Sequence, residues 1–172
     1  NNLDFTIVKG IESDILNDGR LDYPDDVLKG FEIIIASIHS NLRMDKLKAT
    51  DRLIKAIENP FTNILGHPTG RLLLGRKGYE IDHHKVIDAC SANNVAIELN
   101  ANPLRMDLDW TFIPYALEKG VKIAISPDAH SVSQYQFVKF GLNTARKGGL
   151  EASNCLNCMS VEELLAWANI KN

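Results

Sequence analysis

The sequence predicts an α/β fold built on a parallel sheet or barrel, and three observations predict it. Short β-rich runs alternate with stretches of helical periodicity along the chain, which implies repeated βαβ units. "FEIIIASIH" (31–39) is nearly continuously apolar and β-branched, as a strand buried on both faces of a parallel sheet should be. The ionisable residues of most chemical interest recur where the β-rich runs stop, and in such folds functional groups collect at the carboxyl ends of strands.

Taken in order, "FTIVKGIE" (5–12) reads as the first strand and ends in Glu12. The second strand is 31–39, with Ile33, Ile34, Ile35 and Ile38, and ends in His39. In 44–58, Leu47, Ile54 and Ile57 lie at helical spacing, and Leu53 widens the stripe. Asn59-Pro60 ends that helix, because a residue before proline avoids helical angles. "TNILGH" (62–67) is the third strand and ends in His67. A helix over 82–93 is capped by Asp82, with Val86, Ile87 and Cys90 facing inward. "VAIELN" (95–100) is the fourth strand and carries Glu98 and Asn100. A helix over 109–119 is capped by Asp109, carries Trp110, Ile113 and Leu117 on its apolar stripe, and stops at Gly120. Pro114 lies inside it and predicts a kink. "VKIAIS" (121–126) is the fifth strand, followed at once by Asp128 and His130. Helices are predicted over 133–147 and 160–168, the second opened by the capping-box pattern "SVEE". Residues 146–157 form the long loop-like stretch between them.

The 172 residues suit one domain with a real core. A net charge of −3 gives no globally basic surface, so charge alone does not predict tight non-specific nucleic-acid binding. No apolar run approaches the ~18 residues of a membrane span, and no signal-peptide pattern opens the chain. The cysteines, Cys90, Cys155 and Cys158, are odd in number and form no disulfide framework, which fits a reducing, cytoplasmic location. "CLNC" (155–158) lacks the second ligand pair of a zinc site and reads as free thiols, and Cys90 reads as core. Walker and dinucleotide motifs are absent from the sequence.

Glu12, His39, His67, Asp128 and His130 are therefore expected to converge on one rim, with Glu98 as a possible addition. Imidazole mixed with carboxylate suits Zn²⁺, Mn²⁺ or Fe²⁺, and the lack of thiolates argues against a structural zinc site. In an extended segment Asp128 and His130 would share a face and reach one site together. Glu12, with two oxygens, can link neighbouring ions. One histidine at a strand end is usually structural; three of the five histidines there form a pattern. His83 and His84, at a helix start, read as surface residues. Pairing with an arginine would equally explain Glu98, and strand capping would explain Asn100. Arg71 and Arg105 follow His67 and Asn100, and guanidinium matches phosphate oxygens bidentately. Surface solvation is the alternative for both, and it is the reading for Arg76 and Arg146.

"GIESDILNDGRLDYPDDVL", "IASIHS", "NPFTNILGHPTGR", "IELNANPLRMDLDW" and "ISPDAHS" together resemble the PHP (polymerase and histidinol phosphatase) domain, and most of all the C-terminal PHP domain of bacterial family X DNA polymerases. The likeness runs from about residue 5 to about residue 157. It implies a distorted, TIM-like (β/α)7 barrel with up to three divalent metals, manganese or zinc first, iron or magnesium as further options. Glu12 matches the family's bridging glutamate, His39 and His67 the two histidines after it, and Asp128 and His130 the final ligands; Glu12 and Asp128 are the implied catalytic residues. Members open with an H-x-H motif on the first strand, and nothing before Glu12 contains one. The expectation is thus one partial PHP domain over 1–172, the later two-thirds of the whole, with 146–172 as its C-terminal loop and helix. Missing first strands would expose a sheet edge and favour self-association. The implied activity is metal-dependent phosphodiester hydrolysis, a 3′→5′ exonuclease acting on DNA in an intact parent. The alternatives are a small-molecule phosphatase of the histidinol-phosphatase type and a non-catalytic fragment or scaffold.

Overall fold

Side chains alternate across strands, and here that alternation separates two apolar clusters. In the computed structural model, which describes residues 5–171, the strands are β1 (Gly10–Asp14), β2 (Ile33–Ser37), β3 (Ile64–Leu65), β4 (Ala96–Asn100) and β5 (Ile123–Ser126). They form one sheet in the order β1-β2-β3-β4-β5, each parallel to its neighbour. Ile34, Ala36, Ile38, Leu65, Ile97, Leu99, Ile123 and Ile125 join the larger cluster. Helices α2 (Lys46–Glu58), α3 (His83–Ala92) and α4 (Ile113–Glu118) contribute Leu53, Ala56, Ile57, Val86, Ile87, Cys90, Ile113 and Ala116 to it. Each large aliphatic side chain fully buried here contributes about 1.5–3 kcal/mol. The alternate residues, Ile33, Ile35, Ile64, Ala96 and Ala124, pack on Leu164, Trp167 and Ala168 of α6 (Val161–Ala168).

The second face is divided along its length. The apolar residues under α6 come first along each strand, and Glu12, Ser37, Glu98 and Asn100 come later. Glu12 pairs in register with Ile35, and Glu98 with Ala124. One sheet surface is therefore apolar at the amino ends of its strands and polar at the carboxyl ends.

Several expectations need correction. The first strand does not run over 5–12. Pairing begins at Gly10, opposite Ile33, and continues to Asp14, while Phe5 and Ile7 stay 75% and 78% exposed among the described residues. Glu12 is thus mid-strand. Leu47 is 66% exposed; the buried stripe of α2 runs through Ala49, Leu53, Ala56 and Ile57. Pro114 causes no kink, because residues 110–112 form a 3-10 turn and the proline falls in the first turn of α4, where its missing N–H costs nothing. The helix expected over 133–147 begins as 3-10 over Val132–Phe137 and becomes α5 over Val138–Lys147. A short α1 (Asp25–Leu28) after Pro24 was not foreseen. Of the two histidines read as surface residues, His84 is exposed and meets Tyr115 edge-on at 4.4 Å, whereas His83 is half-buried and stacks on Phe112 at 3.7 Å. Burial lowers the His83 pKa to about 4. The caps at Asp82, Asp109 and Ser160 form as expected, the last as a full capping box.

The described strands make an open sheet rather than a closed barrel, and its two edges differ. At β5, the Asn157 amide accepts from Ile125 N–H (2.8 Å) and donates to Ile125 C=O (2.9 Å), so a side chain occupies the edge. β1 has no described strand on its outer side. Among the described residues, no helix is long and apolar enough to cross a membrane.

Candidate metal centre

β1, β2 and β3 deliver Glu12, His39 and His67 to one place. Their ligand atoms all lie within 4.8 Å of one another. Nε2 of His39 stands 3.4 Å from Glu12 Oε1, and Nε2 of His67 stands 3.3 Å from the same oxygen. The Ser37 hydroxyl donates to that oxygen at 2.6 Å. These donors hold the Glu12 carboxyl well below the usual carboxylate range, His39 contributing most and His67 next.

The two imidazoles are set differently. His39 is held from behind: its Nδ1 lies 2.5 Å from Asp14 Oδ1. The hydrogen bond to Glu12, with Asp14 adding to it against partial burial, pushes the His39 pKa up to about 9. A carboxylate behind an imidazole fixes the ring and leaves Nε2 forward, the usual second partner of a metal-bound histidine. Asp14 was missed because the first strand was ended two residues early; alternation puts it on the same face as Glu12. His67 is buried at 2% exposure, and its backbone N–H donates to Glu98 Oε2 at 2.7 Å. Its Nδ1 has no hydrogen-bond partner among the described residues.

Arg52 braces the loops beside this group. The fully packed guanidinium donates to the carbonyls of Ile15, Leu16 (2.8 Å) and Ser40 (3.1 Å), tying the chain after β1 to the chain after His39. A buried arginine on the predicted helix α2 gave no sequence signal of this role.

The β4–β5 side is arranged otherwise. Asp128 has φ 49°, so the backbone leaves the extended conformation, yet His130 Nδ1 still lies 3.7 Å from Asp128 Oδ1. Asp128 Oδ2 accepts from Asn100 Nδ2 (3.1 Å) and pairs with Arg105 Nε (3.1 Å). The His130 side chain is 78% exposed, and its Nδ1 lies 2.9 Å from the Asp128 backbone oxygen. Neither residue belongs to the Glu12–His39–His67 group. Asn100 nevertheless links the two sides, since the same amide lies 3.3 Å from Glu98 Oε2. Glu98 therefore takes no arginine: it is 5% exposed, bound to His67 N–H, and burial pushes its pKa up to about 7.

The arginines also divide. Arg71 is committed to the loop ahead of α4: it donates to the Arg105 carbonyl (2.9 Å), the Met106 carbonyl and Asp109 Oδ2 (2.9 Å). Arg105 has its Nε on Asp128 and sits on the rim.

Two imidazoles and one carboxylate, with a second carboxylate orienting one ring, fit a divalent metal of the zinc, manganese or iron kind. No family model matches the chain. Over 163 residues, 95% of its length, the chain is 45% identical to the DNA polymerase/3′-5′ exonuclease PolX of Bacillus subtilis, matching its C-terminal PHP region. The chain belongs to the PHP family. A "probable phosphatase" of Caldanaerobacter subterraneus is 34% identical over 72% of the PHP chain, and one of Thermoanaerobacter sp. is 32% identical over 88% of it. The chain spans 29%, 50% and 63% of the lengths of these three relatives.

Proposed function

We propose that this PHP chain is the metal-binding part of a phosphoesterase, and that its reaction is 3′→5′ hydrolysis of DNA phosphodiesters. The observation that carries the reading is the meeting of His39 Nε2 and His67 Nε2 at one Glu12 oxygen. The 45% identity to a protein named as a polymerase/exonuclease supports DNA as the substrate.

A divalent ion held by Glu12, His39 and His67 would supply hydroxide at neutral pH and stabilise charge on phosphate oxygens. The chain's own residues do the rest. Ser37 and Asp14 keep Glu12 and His39 in their orientations. Asp128 and His130 serve a second, weaker ion site on the same rim, which the Asn100–Glu98 bridge couples to His67. Arg105 holds substrate phosphate, while Arg71 fixes the loop that carries Arg105. The seven-stranded barrel belongs to the full-length relatives in this reading. The open β1 edge, with Phe5 and Ile7 exposed near it, favours strand pairing with a second copy, and a clean monomer by light scattering at high concentration would count against that.

The second reading, a small-molecule phosphatase, draws on the relatives named as phosphatases. A manganese-supplemented assay with single-stranded DNA and with histidinol phosphate separates the two. Shortening of the DNA from its 3′ end supports the first reading, and preferential release of phosphate from histidinol phosphate supports the second. A chain with bound metal that hydrolyses neither would overturn both.

A further inference from the structure

Three buried side-chain atoms lack a hydrogen-bond partner among the described residues: His67 Nδ1, Tyr79 Oη and Asp107 Oδ1. Their residues are 2%, 8% and 0% exposed. A buried polar atom left unpaired costs roughly 1–3 kcal/mol, so three orphans in one neighbourhood demand an explanation.

They gather around one turn. Gly70 N–H bonds the His67 carbonyl at 2.9 Å and closes the turn 67–70. Asp107 is attached to that turn through its other oxygen, which accepts from both the Thr69 N–H and the Thr69 hydroxyl at 2.9 Å. Tyr79 is attached through its N–H, which bonds the Thr69 carbonyl at 3.1 Å. Its ring lies over Gly70 so closely that a Cβ there would sit 3.0 Å from a ring carbon. Burial pushes the Asp107 carboxyl up against the opposing Thr69 hydrogen bonds, and the Tyr79 phenol is pushed up by burial first and Asp107 second.

The three atoms are chemically complementary: an imidazole N–H and a phenol O–H donate, and a carboxylate oxygen accepts. A water with two donors toward it and one acceptor beyond it makes the three hydrogen bonds typical of a buried water. We infer that Asp107 and Tyr79 are positioning residues for His67, holding its Nδ1–H through one shared buried water and so presenting Nε2 to the metal. On the rim His39 has a carboxylate directly behind it; His67 has one behind a water.

The inference rests on His67 being a metal ligand, and its test keeps the two claims apart. Isotope-labelled histidine in the metal-free chain reports the His67 Nδ1–H by NMR, and a zinc titration of the same samples reports affinity. The expected wild-type result is an Nδ1–H protected from solvent exchange. Asp107→Asn keeps an oxygen for Thr69 but turns a donor toward the pocket. It should abolish that protection and weaken zinc by about 10–100-fold, the usual cost of removing such a partner. Tyr79→Phe should weaken both by less, and it serves if Asp107→Asn does not fold. An unprotected Nδ1–H in the wild type, or zinc affinity unchanged in both variants, overturns the inference. Protection without any zinc binding by the wild type would overturn the metal reading and leave the pocket standing.

Discussion

On the β1–β3 side of the rim, two histidines meet one carboxylate oxygen; on the β4–β5 side, Asp128 pairs with an arginine and with a largely exposed His130. Both sides carry similar residue types after parallel strands. The difference lies in the backbone and in what stands behind each side chain. Glu12 and Asp14 stay within an extended strand, so alternation puts both on one face; β2 sets Ser37 in register with Asp14, and His39 follows two residues beyond it. After β5 the chain enters the left-handed region at Asp128; His130 Nδ1 stays 3.7 Å from Asp128 Oδ1, but the pair does not join the Glu12 group. Spacing at a strand end predicts which group a side chain joins only while the strand continues.

The sharpest way to break the comparison is Glu12→Gln. It removes the anion on which both imidazoles converge, and zinc affinity should fall by more than the roughly 10–100-fold that loss of a supporting residue costs. Calorimetric titration checks it, with circular dichroism to confirm the fold. Next in size is Asp14→Asn, which leaves His39 in place without its partner carboxylate. Zinc affinity should drop by about 10-fold, at the lower end of the same range because the side is partly exposed.

The pH response is the third test. The His39 pKa is raised in the metal-free fold to about 9, so its contribution to stability is fully present below its ordinary value near 6.5 and is lost as pH rises through about 9. Glu12 works in the opposite sense, its contribution present above the ordinary glutamate range and lost as pH falls through and below it. The melting temperature of the metal-free chain should therefore decline toward alkaline pH, while zinc, which must displace the His39 proton, should bind more tightly up to about pH 9. A melting temperature that rises over that interval would contradict the assignment. The smallest effect is expected from His130→Ala. The first equivalent of zinc should bind as in the wild type, and only a later, weaker equivalent should change.

Much of the fold was legible because burial leaves a period in the sequence. The continuous β-branched run of β2 marked a strand of a parallel sheet, and Glu12, His39 and His67 could be linked because each follows or sits in such a run. What was hidden depended on non-local partners. Phe5 and Ile7 have strand propensity but no pairing partner among the described residues, so the first strand starts five residues later than its pattern suggests. Leu47 has the right spacing but lies where α2 faces solvent. Glu98 was open between an added rim ligand and an arginine partner, and it accepts instead from a backbone N–H on the neighbouring strand's extension, which no side-chain pattern encodes. Asp107 lies in the family-like stretch "IELNANPLRMDLDW" and Tyr79 outside all such stretches, yet neither had a sequence signal for this role, and the shared Thr69 brings them to His67.

The central claim is that the metal is nucleated by the β1–β3 side alone. Zinc titration of the wild type, Glu12→Gln and Asp128→Ala, in parallel and above neutral pH, tests it most directly. The prediction is a tight first equivalent in the wild type and in Asp128→Ala, and its loss in Glu12→Gln. A first equivalent that survives in Glu12→Gln but vanishes in Asp128→Ala would contradict it.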